Sequence, residues 1–138
     1  MGVVQYTAEE KKRIEEVLVA FNEYISGNEY FEILSSRLLG YIWVQAIKTD
    51  DGQYKDGHYN IIHTAEDLYY KLFCEIHTDV ILELREKDLD KDRFAQEDIE
   101  LLRHRVEAYV DNMSDSKDNC LSCLEQCINK VINDPYIV

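Results

Sequence analysis

Leu38-Leu39-Gly40-Tyr41-Ile42-Trp43-Val44-Gln45-Ala46-Ile47 is the most apolar stretch of the chain, and its reading decides the fold. Only Gly40 and Gln45 interrupt it. A membrane span needs ~20 residues, so a run this short belongs to a core. Periodicity does not separate a buried helix from a buried strand here. As a helix, the run is the second half of a segment from about Glu29 to Ile47, striped by Phe31, Leu34, Leu38 and Ile42. Apolar on nearly all sides, it would be the central helix of its fold. As a strand, Tyr41 to Ile47 would pair back with Tyr59 to Ile62, and Asp50-Asp51-Gly52 would turn the hairpin. The helical reading leads, with a short β-hairpin around residues 41–62 as its rival. Under the helical reading, Lys48 to His63 is a long polar loop containing Gly52 and Gly57, and loops of that length are often functional.

Working outward, the apolar spacing predicts further helices. Thr7 caps the first, with Glu10 placed to complete a capping box. Ile14, Leu18, Phe21 and Ile25 form its stripe, and Gly27 is placed to end it in a left-handed conformation. Thr64, with Asp67 three residues on, caps a third helix through about Glu86, striped by Tyr69, Leu72, Phe73, Ile76, Val80 and Leu84. A fourth runs from about Phe94 to Met113 with a heptad-like seam of Ala95, Ile99, Leu102, Val106, Tyr109 and Met113. A fifth runs from about Lys117 to Asn133 and is ended by Asp134-Pro135. One Pro and five Gly fit an all-β design poorly. The predicted class is therefore all-α, an antiparallel helical bundle of four to five helices in a single domain.

The 138 residues are 46% hydrophobic and 31% charged, which excludes a disordered chain. Asp and Glu number 28 against 15 Lys and Arg, a formal charge of −13, which argues against direct nucleic-acid binding. The N-terminus shows neither the basic start nor the apolar run of a secretory signal, so a cytoplasmic location with reduced thiols is expected, away from membranes.

Few residue patterns point to chemistry. Asp88-Leu89-Asp90-Lys91-Asp92 opens like a calcium loop, but positions six and twelve hold Arg93 and Ile99 where Gly and Glu are required. Cys120, Cys123 and Cys127 fall within eight residues. On an intact helix the outer two lie ~10 Å apart along the axis, too far for all three to share an ion. Cys74 and His77, joined by Cys120 and Cys123, would make a tetrahedral zinc set; otherwise these thiols are small apolar core groups. His77 is either a hydrogen-bonded core imidazole or a general base beside a carboxylate. His104 is expected to be exposed. His58 and His63, with Asp50, Asp51 and Asp56, are solvated loop polars or a metal or substrate site.

Glu75, Asp79 and Glu83 recur every four residues, a like-charge row that costs roughly 0.2–0.5 kcal/mol per pair unless something offsets it. Tyr54, Tyr59, Tyr69 and Tyr70 gather around the loop and the third helix, and tyrosine is enriched at interfaces. The chain has no P-loop, nucleophile elbow, Rossmann glycine pattern or zinc-protease motif. The expected function is a non-enzymatic protein–protein interaction or regulatory module without a cofactor. It would bind a basic protein or a second copy through Glu75, Asp79, Glu83, Tyr54, Tyr59 and Tyr70. The alternatives are a zinc- or redox-responsive Cys/His domain, an acidic nucleic-acid mimic that binds a basic protein, and an enzyme using His77 with a carboxylate.

Overall fold

The computed structural model describes residues 6–87 and 97–129. They divide into two compact units between Asp67 and Leu68. The first holds helices α1 (Ala8–Ala20) and α2 (Asn22–Ser26), strands β1 (Phe31–Ser36), β2 (Gly40–Lys48) and β3 (Tyr54–Ile62), and the first turn of α3 (Ala65–Lys87). The second holds the rest of α3, then α4 (Glu97–Val110) and α5 (Lys117–Cys127). Among the described residues no helix is long and apolar enough to cross a membrane.

The protein is thus mixed α+β, and the predicted all-α helical bundle is incorrect. The predicted central helix at 29–47 is instead β1 and β2, in an antiparallel sheet of order β1-β2-β3. The helical stripe fails on burial: Leu34 and Leu38 are 45% and 54% exposed. The buried residues are Phe31, Tyr41 and Trp43, and the last two alternate with half-buried Ile42 and Val44 at the strand period of two. Asn28 starts β1 by accepting hydrogen bonds from the Tyr30 and Phe31 amides at 2.8 and 3.3 Å. Ser36 Oγ accepts from the Leu38 and Leu39 amides at 3.2 and 3.1 Å, which turns the chain between strands. Gly40 completes that turn at φ +83°.

The rival hairpin exists and is longer than the sequence suggests. β3 occupies Tyr54 to Ile62, most of the predicted loop, and pairs from Tyr41↔Ile62 to Lys48↔Tyr54. Asp50-Asp51-Gly52 forms its tip, with Gly52 at φ +84° donating to Thr49 O at 3.0 Å. The Asp51 carboxylate accepts from the Thr49 hydroxyl and from the Gln53 amide, so it is spent on the turn. Gln45, the polar break in the apolar run, accepts from Trp43 Nε1 at 3.2 Å. The Trp43 ring stacks on Phe31 with centroids 4.0 Å apart.

Helices α1 and α2 belong to the same unit. Thr7 caps α1 as predicted, accepting from the Glu10 amide at 3.0 Å. The Glu10 carboxylate does not close the expected box; it accepts from the Ala65 amide at 2.6 Å and so caps α3. Gly27 ends α2 at φ −88°, without the predicted left-handed conformation. Glu15 accepts from the Tyr41 hydroxyl at 2.9 Å, and Tyr24 lies against Phe31, so these helices meet the Tyr41 and Phe31 side of the sheet. The Tyr6 hydroxyl links two strands, donating to Ile62 O and accepting from the Tyr41 amide.

In the second unit the helical patterns hold. All six stripe residues of α3 are buried, as are Leu102, Val106 and Met113, and Cys120, Leu124 and Cys127. Within the first unit, Thr64 caps the start of α3 through the Asp67 amide at 3.1 Å. Arg103 of α4 grips Glu125 of α5 with two bonds of 2.8 and 2.7 Å. The calcium-like segment 88–92 and the predicted helix ends at 94–96 and 130–133 lie outside the described residues.

Candidate functional site

Strand alternation gives the sheet two unlike faces. Phe31, Tyr41, Trp43 and Ile62 occupy the buried one. The residues between them make the other, where register sets Leu34 against Ile42, and Val44 between Glu32 and Tyr59. Tyr30 joins this face just before β1, because its carbonyl accepts from the Ala46 amide at 3.0 Å and so extends the ladder.

Tyr54 reaches the same face through a bulge. Between the pairs Gln45↔His58 and Ile47↔Lys55, β2 advances two residues while β3 advances three. The extra residue restores phase, so two tyrosines five positions apart share a face. Tyr30, Tyr54 and Tyr59 are 49%, 55% and 64% exposed there, alongside half-exposed Leu34. Two open hollows flank Val44. One of about 310 Å³ is lined by Tyr30, Glu32, Val44, Ala46 and Tyr54. The other, of about 400 Å³, is lined by Leu34, Ile42, Val44 and Tyr59 among others.

Leu34, Ile42, Val44 and Tyr59 line one hollow together, so the apolar side chains of this face adjoin one another. At its rim, Lys48 and Glu29 form an exposed ion pair of 3.1 Å, which holds the ammonium pKa above its ordinary value. Glu32 is exposed on the face itself.

The other predicted contact residues are placed differently. Tyr70 is on α3 in the second unit, its hydroxyl 3.4 Å from Gln126. Glu83 is ion-paired with Arg105 of α4, and Glu75 and Asp79 also have partners, so the acidic row is not a line of unpaired carboxylates. Tyr69 is buried in the core. Tyr30, Leu34, Ile42 and Val44, which carry much of the sheet face, were hidden within the supposed helix. Their signal was the density of β-branched and aromatic residues from Ile33 to Ile47.

The proposed zinc set does not assemble. Among the described residues no group of three or more His, Cys, Asp or Glu side chains is placed to hold a metal. His77 Nε2 lies 2.8 Å from Asp98, a carboxylate that is 6% exposed at the start of α4. The Cys74 thiol is hydrogen-bonded to Cys127, a partner the sequence analysis left out of the set. Cys120 and Cys123 are buried on α5. Burial, then Cys123, pushes the Cys120 thiol up to about 12. His58, His63 and His104 are exposed, and the Asp56 side chain lies outside the description. Comparison with protein-family models, with curated proteins and with solved structures found no match, so the site stands on its own geometry.

Proposed function

We propose that the protein is a non-enzymatic interaction module that docks a basic protein segment on the open face of its sheet. The observation that carries this reading is the grouping of Tyr30, Tyr54, Tyr59 and Leu34, all half-exposed, around two hollows of side-chain size. Tyrosine suits such a face because its ring offers apolar area at small entropic cost while its hydroxyl stays wet. The choice of a basic partner rests on charge. The chain carries −13, and Glu32 adds a carboxylate within the apolar surface. Two copies facing each other would bring like charges together, whereas a segment with Lys or Arg beside its apolar anchors would be attracted.

Selection from a random linear-peptide display library against the immobilised full chain tests this. Selected peptides should combine large apolar residues with Lys or Arg. Tyr59→Ala and Leu34→Ala should each weaken their binding by about tenfold, as loss of an interface anchor does, with an unchanged circular dichroism spectrum. Peptides that bind both variants as they bind the parent would remove the sheet face from the account. A stable dimer in sedimentation, dispersed by Tyr59→Ala, would replace the basic partner with a second copy.

A further inference from the structure

The two hollows of the open sheet face differ in chemistry. The one lined by Leu34, Ile42 and Tyr59 has no carboxylate among the described residues around it. The one lined by Tyr30, Val44, Ala46 and Tyr54 has two, Glu29 and Glu32. Glu29 is already matched by the Lys48 ammonium at 3.1 Å. Glu32 is exposed, and among the described residues no cation pairs with it. Small residues make the space. Ala46 lies directly opposite Tyr30, whose carbonyl accepts from its amide at 3.0 Å, and it offers the hollow only a methyl group. Beside it on β3 is Gly57, where a Cβ would lie 3.9 Å from the Ala46 Cβ, in ordinary contact. The backbone does not demand glycine at 57, since the positive φ values belong to Gly40 and Gly52. Glycine within a strand, where a side chain would fit, leaves room for another molecule to approach closely.

We propose that the hollow between Tyr30 and Tyr54 is a cation subsite, which takes one Lys or Arg side chain of the docked segment with Glu32 as its counter-charge. The subsite presupposes that the sheet face is where the segment docks, and it assigns a different side chain to each hollow. A tyrosine ring attracts a cation through the negative face of its π-system, and a carboxylate attracts it through charge. Tyr30, Tyr54 and Glu32 bring both to one hollow of about 310 Å³. The apolar anchor of the segment then falls to the neighbouring hollow, which shares Val44 as a wall.

The test is a double-mutant cycle on the full chain, read by fluorescence polarisation with a labelled peptide selected on the parent. Each Lys of the peptide is replaced in turn by norleucine and each Arg by citrulline, which removes the charge and nearly keeps the shape. At one position the replacement should weaken binding to the parent by about threefold, the scale of an exposed charge pair, and should leave binding to Glu32→Gln unchanged. Ala46→Ile fills the hollow with a residue that suits a strand, and it should weaken the unmodified peptide by a like factor. Leu34→Ala, in the other hollow, should weaken the charged and uncharged peptides equally. If no position shows the difference between parent and Glu32→Gln, or if Ala46→Ile has no effect, while Leu34→Ala still weakens binding, the subsite is wrong and the docking face stands. If Leu34→Ala is without effect as well, both are wrong. Glu32→Gln alters one exposed side chain, so the cycle does not depend on Ala46→Ile folding.

Discussion

Asp98 is a carboxylate with little access to water, and His77 is its partner at 2.8 Å. A buried charge without a partner is costly, so this bond matters to the packing of α3 with α4 whether or not it has a chemical role. Asp98→Ala should lower the unfolding free energy by about 1.5–3 kcal/mol, the range for a hydrogen bond to a charged group, read from the urea midpoint at unchanged slope. A midpoint equal to the parent's would show that the pair contributes nothing. Tyr41 makes a different prediction. Burial, and then the hydrogen bond to Glu15, raise its phenol from 10.0 to about 12. The folded state therefore holds that proton more tightly than the unfolded state does. The resulting stability is complete below pH 10 and is lost as pH rises towards 12. Tyr41→Phe should flatten the alkaline stability profile across that window. A profile as steep as the parent's would contradict the raised phenol.

Among the elements, the two hairpin turns are a matched pair. Gly40 and Gly52 have nearly the same φ, +83° and +84°, and different surroundings. A Cβ at Gly40 would meet the Tyr6 hydroxyl at 2.5 Å, whereas one at Gly52 would meet nothing within 4 Å. Alanine at either position should cost ~1–2 kcal/mol for the left-handed backbone alone. Gly40→Ala should cost more, because Tyr6 must leave its bonds to β2 and β3. Equal losses in parallel urea titrations would show that Tyr6 does not hold the strands. The helix starts at Thr7 and Thr64 were legible in the sequence, because a capping side chain acts within three residues. The Asp50-Asp51-Gly52 turn was legible only within the rival hairpin reading. The strand pair β1–β2 was not, because Phe31, Leu34, Leu38 and Ile42 fall at helical intervals by coincidence, and burial is a tertiary property. The two tyrosines of β3 stood out in the sequence but not as neighbours, since only the bulge brings Tyr54 and Tyr59 to one face.

At the scale of the whole molecule, the proposed reading gives the charge of −13 and the sheet face separate roles. The charge would attract a basic segment from a distance, and the tyrosines and Leu34 would supply the contact. Attraction of this kind is screened over ~10 Å at 0.1 M salt and ~3 Å at 1 M. Peptide affinity should therefore fall as salt rises but not vanish, and an affinity indifferent to salt would remove charge from the account. The most direct measurement is a titration of the ¹⁵N-labelled full chain with a selected basic peptide, followed by amide chemical shifts. The account predicts that the shifts concentrate at residues 30–34, 42–48 and 54–61. Shifts concentrated in α4 and α5, with those three segments unmoved, would contradict it.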